Sequence, residues 1–286
     1  MNDPDRLRDT DAPPLRVMTY NVRYPSPENE RNSWARRREP LLTTVRFHHP
    51  DVVGLQEAQH SQVEAVRESL PAFEWLTAGR SGETYGDHPA VGFRRERFEL
   101  RADDTFWLSE TPDTQSRGWD ASLVRLVRYV RLHDAVTGSS FHWFNTHFDH
   151  RGATARLESA SLLRARVGDV TPEAPVVVTG DLNSRPGSEP YRRLTEGSSS
   201  EGPTLRDAAT VARLPNHGPT TTMTDFTDLI PEKKIDYVLV TPGITVTQHG
   251  ICSDTYDGGR YPSDHLPVVA DLVLPDPDDQ ASGASA

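Results

Sequence analysis

The chain reads as a single α/β domain with mixed sheets. Three observations predict this. Short apolar or β-branched runs recur from end to end, amphipathic segments of helical period separate some of them, and other runs follow one another with only a turn between. Hairpin-like neighbours beside helix-separated strands exclude a purely parallel doubly wound sheet and put the helices outside. The 286 residues contain no internal repeat and no linker between differently patterned halves, so one domain over residues 15–274 is expected. Residues 1–14 and 275–286 are polar and rich in Asp and Pro, and are expected as disordered acidic tails.

Taken in order, strands are expected at 15–20 (LRVMTY), 51–56 (DVVGLQ), 88–93 (HPAVGF) and 98–108 (FELRADDTFWL). They continue at 124–132, 139–148, 174–180, 235–240 and 266–274. In VRLVRYVRL, Val124, Leu126, Arg128, Val130 and Leu132 share one face, and Arg125, Val127, Tyr129 and Arg131 the other. The unbroken VVV before Gly180 fits a strand covered on both faces. Helices are expected at 33–48, with Ser33 as N-cap and Trp34, Leu41, Leu42 and Val45 facing the core, at 61–70 before Pro71, and at 153–168, where Leu157, Ala160, Leu163 and Val167 form a stripe. Arg36, Arg37 and Arg38 read as a solvated helix face.

Composition narrows the function classes. No stretch approaches the ~18 consecutive apolar residues of a membrane span, and no basic n-region precedes an apolar h-region, so a cytoplasmic protein acting as a monomer is expected. The single cysteine, Cys252, excludes an internal disulfide and a cysteine-rich zinc site. Net charge is −11, with 29 arginines against two lysines and 25 Asp among 42 acidic residues, a halophilic type of bias in which dense carboxylates keep a surface hydrated at high salt. An acidic balance also disfavours polyanionic partners, although molar salt shortens the Debye length to about 3 Å and leaves local contacts to decide.

Five segments put acidic, amide or imidazole groups at strand exits: TYN (19–21), LQE (55–57), NTH (145–147), GDLN (180–183) and SDH (263–265). Singly, each is an ordinary turn former or helix cap. Together they weigh against that ordinary reading. Asp181 and Asn183, two apart, would project the same way from extended backbone and share one ligand. Adjacent Asp264 and His265 would diverge in a regular strand, so a turn after Pro262 must aim both inward. Glu57 offers the hard carboxylate oxygen that Mg2+ or Mn2+ prefers. A zinc reading of NTHFDH through His147, Asp149 and His150 fails, because no second His/Cys pair has ligand spacing and residues three apart on a strand diverge.

TYN, LQE, THF, GDLN, IDYV and SDH in series over residues 15–274 resemble the endonuclease/exonuclease/phosphatase superfamily. The resemblance implies a four-layer α/β/β/α sandwich, two mixed β-sheets face to face with flanking helices, and an active site at one edge. It implies Glu57 as main ligand of Mg2+ or Mn2+, with Asn21 and Asp264 completing the sphere. Asp181 and Asn183 would orient the attacking water and hold a phosphate oxygen, and Asp236 would fix the tautomer of His265. His147 sides with the deoxyribonuclease-, deadenylase- and sphingomyelinase-like members, and Asp87 lies where deoxyribonuclease-like members carry a Glu supporting that His. Arg125 lies near a phosphate-contacting Arg of those members, and equally reads as a solvated strand residue. GDLNSRPGSEPYRRL is similar to the deadenylase and nocturnin-like branch, while 107–125 resembles a prokaryotic branch. The expectation is a metal-dependent phosphodiesterase or nuclease, with nucleic acid as a partner, and the alternative is hydrolysis of a small organic phosphate. These activities share one central chemistry, and the motifs do not choose among them.

Overall fold

The computed structural model describes residues 13–25, 30–77, 88–170, 174–197 and 202–276. β1 (Leu15–Asn21), α1 (Trp34–His48) and β2 (Val52–Ala58) make a strand–helix–strand crossover in which the two strands pair in parallel. α2 (His60–Ser69), β3 (Phe73–Thr77) and β4 (His88–Arg94) extend the same sheet. β5 (Phe98–Trp107), β6 (Leu126–Asp134) and β7 (Ser140–His147) begin a second sheet as antiparallel neighbours. A second crossover, through α3 (Ala153–Asp169), sets β8 (Val176–Asp181) parallel to β7. α4 (Glu189–Thr195), β9 (Arg206–Asp207), α5 (Ala208–Val211) and β10 (Asp236–Val240) follow, and β11 (Thr245–Ile251) and β12 (Val268–Val273) return to the first sheet. The sheets run β11-β12-β1-β2-β4-β3 and β5-β6-β7-β8-β10-β9, and both are mixed.

Three apolar clusters define the layers. Val17, Val52, Val91, Phe93, Val130, Trp143, Val177 and Val238 fill the space between the sheets. Met18, Tyr20, Leu41, Val45, Val53 and Val66 lie between the first sheet and α1 and α2, and Phe144, Leu163, Val167, Val178 and Leu239 between the second sheet and α3. The alternation of β1 and β8 thus feeds two cores at once, which is why VVV carries no polar face. This is the expected four-layer α/β/β/α sandwich.

Differences from the sequence reading have local causes. β3 and β11 were not expected: each is an edge strand, and polar residues such as Gln248 and His249 break the apolar signal in β11. Ser33 does occupy the N-cap of α1, with extended backbone, but its side chain makes no capping bond. In α3, Leu157 is only partly buried while Ala155, Ser159 and Arg164 turn inward. The N-cap of that helix is Gly152, which has no side-chain capping atom; the Asp120 carboxylate accepts from the Ala155 N–H at 2.6 Å and the Thr154 N–H at 3.3 Å, so the cap comes from a remote segment. Asp87 and most of both expected tails, 1–12 and 277–286, lie outside the described residues. Among the described residues, no helix is long and apolar enough to cross a membrane.

Toward one end, the core between the sheets becomes polar. Asn145 of β7 donates to the carbonyls of Leu55 and Ala90 in the opposite sheet, at 3.0 and 3.1 Å. Its Oδ1 accepts from Gln56 at 2.8 Å and from Thr179 at 3.0 Å, and Gln56 also donates to Thr19 at 3.0 Å. All four side chains are fully buried. Gly54 makes room for the seam: a Cβ there would stand 2.4 Å from Asn145 Oδ1. Asn145→Leu strands these buried groups without partners, so the unfolding free energy should drop by roughly 2–5 kcal/mol in a denaturant titration.

His249 on β11 is 4 % exposed, and among the described residues neither ring nitrogen has a hydrogen-bond partner. Burial, with Lys234 adding, holds its pKa down at about 4. The unfolded chain therefore binds the extra proton first on acidification. His249 stabilises the fold fully above the ordinary imidazole value, and that contribution is lost as pH falls through about 4. The loss between pH ~6.5 and ~4 should be roughly 3 kcal/mol, and it should vanish from the pH profile of His249→Leu.

Candidate active site

The two parallel strand pairs deliver their carboxyl ends to the same edge of the sandwich. In the first sheet, Asn21 ends β1 beside Gln56, and Glu57 follows one residue on. In the second, register sets His147 opposite Asp181, and Asp181 opposite Asp236. Asp236 opens an antiparallel strand, so its start reaches the same edge as its neighbours' ends. Gly180 permits the close approach of β7 and β8, since a Cβ there would lie 2.1 Å from the Thr146 carbonyl oxygen.

Asp181 is the hub of this edge. Its Oδ2 accepts from Asn21 Nδ2 at 3.1 Å, across the gap between the sheets, and lies 3.3 Å from His147 Nε2 and 3.8 Å from His265 Nε2. Its Oδ1 accepts from the Asn183 N–H at 2.8 Å. Asn183 is not in extended backbone: its φ of 47° turns the chain, and its amide donates to the Phe148 carbonyl at 2.9 Å and lies 3.1 Å from His147 Nε2. Asp181 and Asn183 therefore share a site through a turn, not through strand alternation. His265 Nδ1–H donates to both oxygens of buried Asp236, at 2.9 and 3.1 Å, which leaves Nε2 facing Asp181.

Electrostatics separate the two groups. Burial raises the Asp181 carboxyl above the usual carboxylate range, with Asp236 and Glu57 adding to the rise and His265 and the Asn183 N–H opposing it. Burial also opposes a charge on His265, but Asp236, Asp181 and Asp264 outweigh it and hold the imidazole above its ordinary pKa. The pair thus comprises a carboxylate that accepts a proton readily and an imidazolium that keeps one.

A second carboxylate group stands beside the first. Glu57 sits within β2 at a register shift, with φ at 60°, a left-handed conformation costly for a residue with a Cβ and concentrated at functional sites. Its Oε1 accepts from Asn21 Nδ2 at 3.3 Å and its Oε2 from the Tyr24 N–H at 3.2 Å. Asp264 lies in the bend after Pro262, as expected, with Ser263 Oγ donating to the Asn21 carbonyl at 2.8 Å. Arg23 Nη1 is 3.7 Å from Glu57 and 3.5 Å from Asp264. One cationic nitrogen already answers to both carboxylates, and a hard divalent cation would meet the same oxygens, so the donor set fits Mg2+ or Mn2+. Asp181, Asp236 and His265 also have ligand atoms within 4.8 Å of one another. Both Asp236 oxygens are committed to His265, which suits that trio to holding a proton better than a cation.

Arg23, Glu57, His147, Asp181, Asn183, Asp264 and His265 wall a cleft of about 580 Å3 that also takes in Tyr24, Leu123, Arg125, His150, Met223 and Lys233, while Asn21 and Asp236 are fully buried and do not line it. The sequence model of the Endonuclease/Exonuclease/phosphatase family matches residues 18–265, nearly the whole described fold. The chain belongs to that family. Its members are phosphoester hydrolases, and this protein is one of them. A mannosyl-6-phosphatase of Bacteroides thetaiotaomicron is 31 % identical, with a TM-score of 0.85 over 91 % of this chain and 100 % of that one. An endonuclease/exonuclease/phosphatase of Bacteroides vulgatus is 34 % identical, with a TM-score of 0.84 over 91 % and 99 %. The human Nocturnin catalytic domain shares the fold at 20 % identity, with a TM-score of 0.71 over 96 % and 99 %.

Against the family's motifs, the arginines are what sequence reading placed least well. Arg125 is buried just before β6, 3.5 Å from Asp149 and 3.1 Å from His150, and lines the cleft; it is no solvated strand residue. Asp149 accepts from Ser122 and from the N–H groups of Leu123, Arg151 and Gly152, so it fastens the 118–125 segment to the end of β7. Of the three groups of the discarded zinc reading, Asp149 and His150 share Arg125, while His147 faces Asn183 and Asp181.

Arg37 corrects the solvated-face expectation outright. It is fully buried, and its guanidinium donates to four carbonyls: Asn32 at 2.7 Å, Pro262 at 2.8 Å, Val22 at 2.9 Å and Arg23 at 3.0 Å. It ties the loop after Asn21 to the bend carrying Asp264 and His265. Tyr24 and Lys233 were likewise not foreseen, and His150 entered only through the zinc reading. Arg37→Lys cannot reach four carbonyls in a plane. It should unfold at a lower temperature than wild type by calorimetry and lose kcat on any turned-over phosphoester, with Arg38→Lys on the exposed face as the silent control.

Proposed function

We propose that this chain is a divalent-metal-dependent phosphatase of small organic phosphates, with a sugar phosphate as the leading substrate class and residues 15–274 as one catalytic unit. The observation that carries the reading is the cleft, where Asp181, Asn183, His147 and His265 share a wall with Arg23, Arg125 and Lys233. Its volume of about 580 Å3 lies within the ~300–1,000 Å3 usual for small-molecule sites. The net charge of −11 adds support, since a long polyanion must cross an acidic exterior whereas a small phosphate needs only the cations of the cleft. The 31 % identical mannosyl-6-phosphatase points the same way. The nuclease reading of the motifs uses the same central chemistry and yields on these grounds.

Glu57 and Asp264, with Asn21 beside them, would hold Mg2+ or Mn2+, which when bound neutralises charge on a phosphoryl oxygen. Asp181 takes a proton from the attacking water, a role suited to a carboxylate raised toward neutrality by burial. Asn21 and the Asn183 N–H fix its two oxygens in place. His265, held by Asp236, presents its Nε2–H to the phosphoryl group and offsets the charge that grows there. His147 and Asn183 hold a second phosphoryl oxygen, and Arg125 and Lys233 engage the organic part. Water oxygen bonds to phosphorus as its proton passes to Asp181, the bond to the organic oxygen breaks, solvent water protonates the departing alkoxide, Asp181 returns its proton to solvent, and inorganic phosphate and the free alcohol leave.

The dense carboxylate surface calls for assays in high potassium chloride with Mg2+ or Mn2+. Across hexose phosphates, inositol phosphates, nucleotides, single- and double-stranded DNA, RNA and phospholipid headgroups, phosphate release from a sugar phosphate should have a kcat/KM at least tenfold above any oligonucleotide. Cleavage of nucleic acid with sugar phosphates untouched refutes the proposal. His265→Ala and Asp181→Asn should each lower kcat by about 10²–10⁴ while keeping a wild-type circular dichroism spectrum.

A further inference from the structure

Away from the cleft, a thiol, an imidazole and a carboxylate converge where α1 ends and β11 gives way to the 252–265 segment. Cys252 Sγ lies 3.7 Å from His48 Nδ1, and His48 Nε2 lies 2.8 Å from Asp254 Oδ2. The three ligand atoms all lie within 4.8 Å of one another. His48 Nε2–H donates to Asp254, so the Nδ1 lone pair faces the sulfur. A carboxylate holding the far nitrogen of an imidazole while the near one faces a ligand is the arrangement that orients metal-bound histidines.

The S–H···N contact also has the spacing that a bound cation would need. Two ligands on one tetrahedral zinc, with Zn–S ~2.3 Å and Zn–N ~2.05 Å, stand about 3.5–3.6 Å apart, whereas a linear pair at the same lengths would stand about 4.3 Å apart. The observed 3.7 Å matches the tetrahedral bite. We propose that Cys252 and His48 form a binding site for Zn2+ or a similar thiophilic cation, with Asp254 orienting the imidazole and water filling the outer positions. The site is distinct in ligand type from the oxygen-rich group around Glu57, where a hard cation is favoured.

A nucleophilic role for the thiol fits poorly. Cys252 is only 3 % exposed, and burial, with Asp254 adding, pushes its thiol up to about 12, so at neutral pH it keeps its proton and donates it to His48. Cation binding exchanges that proton: the S–H bond breaks, the proton leaves to solvent and a sulfur–metal bond forms with no change of oxidation state. His48 and Asp254 are partly exposed, so the cation enters from their side. Once bound, it ties the end of α1 to the start of the segment that carries Asp264 and His265, which makes the site a clamp on the active-site loop.

Cys252 is the only cysteine, so any thiolate-to-metal absorption band reports this site alone. Titration of the full chain with Cd2+ should raise a near-ultraviolet charge-transfer band that saturates at one equivalent and is displaced by Zn2+. The band should be absent in Cys252→Ser, persist in Glu57→Gln, and require about 10–100-fold more Cd2+ in Asp254→Asn. His48→Gln, on the partly exposed side, guards against a Cys252→Ser chain that fails to fold, and should weaken binding at least as much. No band at millimolar Cd2+, or a band indifferent to both His48→Gln and Asp254→Asn, overturns the site.

Discussion

A polar side chain buried between two β-sheets must find partners in both, and Asn145 does. It spends its amide protons on two carbonyls of the opposite sheet and its carbonyl on Gln56 and Thr179. Apolar side chains could hold the sheets together in many registers, but hydrogen bonds running from Asn145 to both sheets restrict them. The seam therefore fixes how the edge carrying Asn21 meets the edge carrying Asp181. The 3.1 Å hydrogen bond between those residues lies beyond it, so the edge that bears the cleft continues the structural contact.

The architecture supplies that edge twice. Each sheet contains one parallel pair joined by a helix, β1-α1-β2 and β7-α3-β8, and in each the carboxyl ends carry residues to which the proposed function assigns the chemistry. Backbone groups at such ends have no further ladder partner, which leaves side chains and loops free to face a ligand. One pair brings Asn21 and Glu57, the other His147 and Asp181. Antiparallel β10 and the bend before β12 then add Asp236, Asp264 and His265 without lengthening either sheet.

Arginine does much of the joining. Besides Arg37, Arg164 donates to the carbonyls of Gly202 and Pro203, and Arg206 to those of Pro242 and Ile244. A planar fork of donors can satisfy several carbonyls from different loops at once, where an ammonium group meets them one at a time. The excess of arginine over lysine in this acidic chain thus has a structural use: guanidinium groups collect loop carbonyls that would otherwise lie buried and unpaired. Arg23 applies the same chemistry to the paired carboxylates of the cleft.

What the sequence determined by itself was whatever is written in local pattern. The continuous VVV run, the alternation after Val124 and the three helical stripes gave the element types, and the order TYN, LQE, THF, GDLN, IDYV and SDH gave the family and the side chains that gather at one edge of the sandwich. Edge strands β3 and β11 escaped because they bury too few apolar groups to stand out. Tertiary structure decided the rest. Nothing in LQE requires Glu57 to adopt φ of 60°, and nothing in DLN requires Asn183 to leave the extended state; both conformations are imposed by contacts from remote segments. Among three consecutive arginines, only the packing of two loops against α1 selects Arg37 for burial, and His48 meets Cys252 and Asp254 across about two hundred residues of chain. Periodicity is a property of neighbours in sequence, whereas these pairings are satisfied only when distant backbone carbonyls and carboxylates arrive at the same place.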